Sequence, residues 1–118
     1  MERSPSAVGD ARHNLAYAGR RARVLGEEVG KWRPDRRFEV VIADPARPGL
    51  ARPGVAAVRA AAPDALVLVS CDAASFGRDV ALLRAAGFAL RRVRIVDAYP
   101  HTPHVEVISR FERSTRRE

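Results

Sequence analysis

The hydrophobic and polar positions of the chain alternate between two periods. Val8, Ala11, Leu15 and Ala18 recur at helical spacing behind Ser4-Pro5, a helix entrance with Ser4 as N-cap and Pro5 at the first helical position, and Gly19 closes the pattern. Arg23-Val24-Leu25 suits a short strand, and the polar stretch from Glu27 to Arg37 a brief helix or loop. Phe38-Glu39-Val40-Val41-Ile42-Ala43 is a β-branched run and predicts a strand that breaks at Asp44-Pro45. Pro45, Pro48 and Pro53 predict an extended, stiff loop, followed by a helix from about Gly54 to Ala62. Leu66 to Val69 is a short apolar run without alternation, the pattern of a strand buried on both faces of a parallel sheet. A helix from Ala73 to Ala86 follows, with Phe76, Val80 and Leu83 inward and Gly87 as its stop. Ala89–Val96 and His104–Phe111 predict two final strands, joined by a short loop and therefore an antiparallel pair at one edge.

This order reads as the later part of a doubly wound α/β fold, one domain over residues 1–112 with a charged, disordered tail over 113–118. No apolar run approaches the roughly 20 residues of a membrane-spanning helix, and the polar N-terminal stretch has no signal-peptide pattern. One cysteine, Cys71, excludes an internal disulfide framework within this chain and fits a reducing, cytoplasmic setting. The net charge of +7 comes almost wholly from arginine, since Lys31 is the only lysine. Arginine suits bidentate phosphate contacts and stacking on bases, which points to a nucleic-acid partner; codon usage in a GC-rich genome raises arginine and alanine together and is the competing explanation.

Chemistry concentrates at the predicted strand ends. Cys71 follows the apolar run at Ser70-Cys71-Asp72, where open α/β sheets gather ligands and reacting groups. It is either an inert small hydrophobe or a nucleophile. Asp44-Pro45-Ala46-Arg47 ends the preceding strand and faces the same crevice. Glu106, in Val105-Glu106-Val107-Ile108, is either an edge-strand carboxylate facing water or a buried one, whose pKa burial would raise toward that of a base working near neutrality. His101 or His104 could form a dyad with Cys71, and the three histidines lack metal-ligand spacing as a set.

Three blocks in order, Asp44-Pro45-Ala46-Arg47, Ser70-Cys71-Asp72-Ala73 and His104-Val105-Glu106, resemble the RNA uracil-5 methyltransferase family, and Glu2-Arg3-Ser4-Pro5-Ser6-Ala7-Val8 resembles the segment after that family's second strand. The resemblance implies the C-terminal portion of a Rossmann-like methyltransferase fold that uses S-adenosyl-L-methionine and modifies uridine in ribosomal or transfer RNA. It implies Cys71 as the nucleophile that adds to C6 of uracil and Glu106 as the acceptor of the C5 proton. Asp44 then matches the family's cofactor-and-substrate aspartate, Glu2 the carboxylate that holds the cofactor's ribose hydroxyls, and Arg47 an RNA or base contact. The family often has Asp-Pro-Pro-Arg and Ser-Cys-Asn-Pro; Ala46, Asp72 and Ala73 depart from it in ways that soften the loops and leave the reacting groups in place. The family's first strand and glycine-rich loop have no counterpart, since no Gly-x-Gly occurs. The resemblance therefore implies a fragment, from a truncated gene or a misplaced start, or one completed by a missing N-terminal half or a partner chain. The alternative is a non-enzymatic remnant that binds RNA through its arginines.

Overall fold

A computed structural model describes residues 1–114 of the chain, which falls into two compact units, Met1–Trp32 and a second beginning at Arg33. The first unit contains helix α1 (Pro5–Tyr17), with Pro5 in the first turn, where its missing N–H has no intrahelical partner to lose. Gly19, at φ +62°, ends it in the left-handed conformation that suits glycine. Val8 is its buried residue, close against Gly26. The strand expected at Arg23–Leu25 does not form. This segment meets Glu2 through a hydrogen bond from the Glu2 N–H to the Leu25 carbonyl (3.1 Å) and a single parallel bridge between Glu2 and Gly26. A strand needs a continued ladder, and one bridge does not supply it.

The second unit contains β1 (Val40–Ala43), α2 (Ala51–Ala61), β2 (Ala65–Ser70), α3 (Ala73–Ala85), β3 (Phe88–Val96) and β4 (Glu106–Arg113). The sheet order is β1-β2-β4-β3, with β1 parallel to β2 and β4 antiparallel to both neighbours. The expected antiparallel pair at one edge is thus β3 with β4, carrying a register shift between Leu90 and Arg92. Arg113, read as the start of the tail, is the last residue of β4, and residues 115–118 lie outside the described residues.

Leu50, Val55 and Val58 from the α2 side, Leu83 of α3, and Leu66, Leu68, Phe88 and Phe111 of the sheet form one core cluster. Each such side chain stabilises by about 1.5–3 kcal/mol relative to exposure. Burial in β2 alternates: Leu66, Leu68 and Ser70 are buried, whereas Ala65, Val67 and Val69 are only half-buried. The run read as buried on both faces is therefore fully covered on one. The core cluster with α2 and α3 lies on the Leu66–Leu68 side, while the opposite face presents Ile42 (74% exposed), Ile108 and Arg110. Helix α2 also starts earlier than expected, and Pro53 lies in its first turn, where proline is tolerated. Among the described residues, no helix is long and apolar enough to cross a membrane.

Candidate functional site

Strands β1 and β2 run parallel, so both deliver their carboxyl ends to one rim of the sheet. Ala43 pairs with Leu68, which sets Asp44 level with Val69, two residues before Cys71. The antiparallel strand β4 begins at that same rim. Its ladder with β2 ends at Ser70 opposite Val107, so Cys71 and Glu106 are the next residues on the two strands and occupy neighbouring positions. Both are half-buried, and Cys71 is a free thiol. The adjacent Ser70 hydroxyl is buried and forms no hydrogen bond among the described residues.

Cys71 stands immediately before the N-cap of α3, where unpaired backbone N–H groups favour negative charge. Asp72 is that cap: its carboxylate accepts the Ser75 N–H at 2.8 Å. This bond, the Ser75 side chain and the nearby Arg47 guanidinium hold the Asp72 carboxyl below the usual carboxylate range. Asparagine and aspartate cap helices about equally well, so the departure at Asp72 keeps the local geometry. Ala73 occupies the first helical position, which proline favours and alanine tolerates.

The turn after β1 is gripped by α3. The Ser75 hydroxyl donates to the Arg47 carbonyl at 2.8 Å, and Arg78 donates to the Pro48 carbonyl. Asp79, completely buried, accepts the N–H groups of Leu50 at 2.7 Å and Ala51 at 3.0 Å. The Arg78 guanidinium pairs with the Asp79 carboxylate at 3.0 Å. The two N–H bonds explain the early start of α2, since a side chain distant in sequence satisfies donors that a helix terminus leaves open. Arg47 reaches the opposite side of the rim, where its Nη2 lies 3.1 Å from Nδ1 of His104. An Nδ1 that accepts from a guanidinium must carry its proton on Nε2.

The second unit therefore brings Asp44, Arg47, Cys71 and Glu106 to one rim, with His104 engaged by Arg47. Glu2 belongs to the first unit, where its Oε1 accepts the Ser4 N–H at 2.8 Å. That bond, then the Arg3 N–H and the positive N-terminus, hold the Glu2 carboxyl below its usual range, so it remains an acceptor. Ser75, Arg78, Asp79 and the Arg47–His104 contact escaped the reading of the sequence. One signal pointed to Asp79: it lies three residues after Phe76 and four before Leu83, a charge on the apolar stripe of its own helix. Elsewhere on the sheet, Arg92, Arg94 and Arg110 line a shallow cavity of about 220 Å³ with Val67 and Ile108. Among the described residues, no three histidine, cysteine or acidic side chains group as a metal site would require.

No family model matches the chain. It is 33% identical over 114 residues to an uncharacterized RNA methyltransferase of Aquifex aeolicus, an alignment covering 92% of this chain and 27% of the relative. An uncharacterized RNA methyltransferase of Porphyromonas gingivalis is 39% identical over 127 residues, covering 98% of this chain and 26% of the relative. The chain belongs to the RNA methyltransferase family. It spans about a quarter of the length of these curated relatives. Among solved structures, the Pyrococcus abyssi tRNA (uracil-54, C5)-methyltransferase in complex with S-adenosyl-L-homocysteine matches with a TM-score of 0.81 and 29% identity, over 92% of this chain and 27% of that one. The sheet of this RNA methyltransferase segment is accordingly part of a Rossmann-like methyltransferase fold.

Proposed function

We propose that this segment carries the reacting groups of an S-adenosyl-L-methionine-dependent RNA uracil-5 methyltransferase. The observation that carries the reading is the neighbouring placement of Cys71 and Glu106 at the rim, fixed by the last pair of the β2–β4 ladder. The likeness to the Pyrococcus abyssi enzyme supports it.

C5 of uracil is a poor carbon nucleophile. The Cys71 thiolate forms a bond to C6, and the displaced C5–C6 electron pair makes C5 an enolate carbon. When bound, S-adenosyl-L-methionine supplies an electrophilic methyl group and leaves as S-adenosyl-L-homocysteine. Glu106 then takes the C5 proton, the C5–C6 double bond re-forms, and the C6–sulfur bond breaks to return the Cys71 thiolate. Glu2, held ionised, has the acceptor oxygens that ribose hydroxyls need, and Asp44 offers the same chemistry beside the reacting pair. The target uridine must leave its stack or lie in a loop to reach the rim.

RNA carrying 5-fluorouridine tests the reading, because fluorine cannot be removed as a proton and the Cys71–C6 bond persists. With S-adenosyl-L-methionine the folded chain is expected to give a covalent RNA adduct on a denaturing gel, absent in Cys71→Ser. Glu106→Gln is expected to accumulate the adduct on ordinary uridine RNA. A folded chain that binds RNA and forms no adduct would overturn catalysis by this segment and favour the second reading, RNA binding without turnover. Arg92, Arg94 and Arg110 on the open sheet face support that reading.

A further inference from the structure

We propose that one face of α3, made by Ser75, Arg78 and Asp79, is the positioning element that sets the turn from Arg47 to Ala51, and with it Arg47, relative to Cys71 and Glu106, with Asp79 as its anchor. The catalytic meaning of this assignment rests on the function proposed above.

The three residues lie at spacings that share one helix face. They take the opposing turn nearly residue by residue: Ser75 holds the Arg47 carbonyl, Arg78 the Pro48 carbonyl, and Asp79 the N–H groups of Leu50 and Ala51. A carboxylate with no exposed surface is costly unless it is paired and hydrogen-bonded, and Asp79 is both. The turn is shaped to receive it. Gly49 has φ +73°, and a Cβ there would lie 2.3 Å from Asp79 Oδ2. Ala51 is also held at positive φ, with its N–H on Asp79 Oδ1. Strained backbone of this kind persists where the surroundings over-determine it.

Capping of α2 alone would need only the bonds to Leu50 and Ala51. The bonds to Arg47 and Pro48 lie upstream of the helix and add nothing to it; they fix the turn. The same turn is tied at its far side, where the Arg47 guanidinium meets His104 Nδ1, two residues before Glu106. The helix that begins beside Cys71 thus sets the place of Arg47, and Arg47 in turn meets the segment that leads into Glu106. Ser75, Arg78 and Asp79 touch none of the reacting atoms in this scheme; they act through the turn.

Nitrogen-15 NMR of the histidine side chains in the full chain reads this directly, with Arg47→Ala defining the His104 Nδ1 signal when the guanidinium contact is absent. Ser75→Ala and Asp79→Asn are expected to fold, as judged by circular dichroism, and to move the His104 Nδ1 signal toward that of Arg47→Ala. Ser75→Thr, which keeps the hydroxyl, is expected to restore it. Should Asp79→Asn fail to fold, the half-buried Ser75 pair carries the test. With 5-fluorouridine RNA, Ser75→Ala is expected to slow adduct formation about tenfold or more while RNA affinity stays within about twofold, the split expected of misplaced rather than missing groups. A His104 signal unchanged in both Ser75→Ala and Asp79→Asn would overturn the proposal and leave Asp79 as a cap of α2. If the wild-type chain forms no adduct, the proposed function falls by itself, and the His104 signal still decides the positioning role.

Discussion

Gly49→Ala and Gly87→Ala make a matched pair that measures how firmly Asp79 is held. Both glycines have positive φ, +73° and +90°, so alanine at either meets the left-handed penalty of about 1–2 kcal/mol. At Gly87 an added Cβ has nothing within 4 Å, and the penalty is the whole effect. At Gly49 the Cβ would stand 2.3 Å from Asp79 Oδ2, 3.2 Å from its Cγ and 3.0 Å from Arg78 Nη2. The carboxylate, the nearest group and the free end of its side chain, must retreat, which breaks the 2.7 Å bond to the buried Leu50 N–H. A hydrogen bond to a charged group contributes about 1.5–3 kcal/mol. Gly49→Ala is therefore expected to cost about 2.5–5 kcal/mol in equilibrium urea unfolding, exceeding Gly87→Ala by about 1.5–3 kcal/mol. In an Asp79→Ala background most of that excess should vanish, because the carboxylate atoms are gone and the remaining neighbour, Arg78 Nη2 at 3.0 Å, is the end of a flexible side chain that can swing aside. Equal costs for the two glycine variants, or an excess that survives removal of the Asp79 side chain largely intact, would refute the view that Gly49 is there to admit the carboxylate.

Three further outcomes follow from the same geometry. The Asp72 carboxyl is held below its ordinary value of 3.8, so the stability its charge contributes is fully present above that value and is lost as pH falls through the lowered one; thermal melts from neutrality into acid should show the advantage of wild type over Asp72→Ala shrinking on the acid limb. Leu66→Ala, at a residue with no exposed surface, should cost about 2–5 kcal/mol in chemical denaturation, whereas Ile42→Ala on the open sheet face should stay within about 0.5 kcal/mol. Arg92→Ala and Arg94→Ala should each weaken single-stranded RNA binding and lower the slope of log affinity against log salt by about 0.7, read by fluorescence anisotropy.

Elements that rest on local pattern were legible along the chain. The β-branched run ending at Ala43, the apolar run ending at Ser70, the helical spacing of Phe76, Val80 and Leu83, and the paired final strands all form close to where the pattern puts them. The reason is that the period of hydrophobic positions acts within one element and needs no partner to be read. The same logic located Asp44 and Cys71, since each simply follows the end of a strand.

Where the pattern misled, a neighbour was decisive. Arg23–Leu25 has strand-like residues, yet a strand exists only through its ladder, and among the described residues the pairing beside it is an isolated bridge between Glu2 and Gly26. Leu66–Val69 reads as two-sided burial because apolar residues fill both parities, but burial depends on what covers each face. Pro53 reads as loop, yet a carboxylate from α3 starts α2 two residues ahead of it.

Read along the chain alone, the residues give the elements from Val40 onward, the placing of a lone cysteine and an aspartate at strand ends, and an arginine-rich charge. Only the tertiary structure set Cys71 beside Glu106, buried Asp79 against the turn after β1, and joined Arg47 to His104. Each of those relations joins residues that lie far apart along the chain. It is fixed by strand register and helix packing, which no local period encodes.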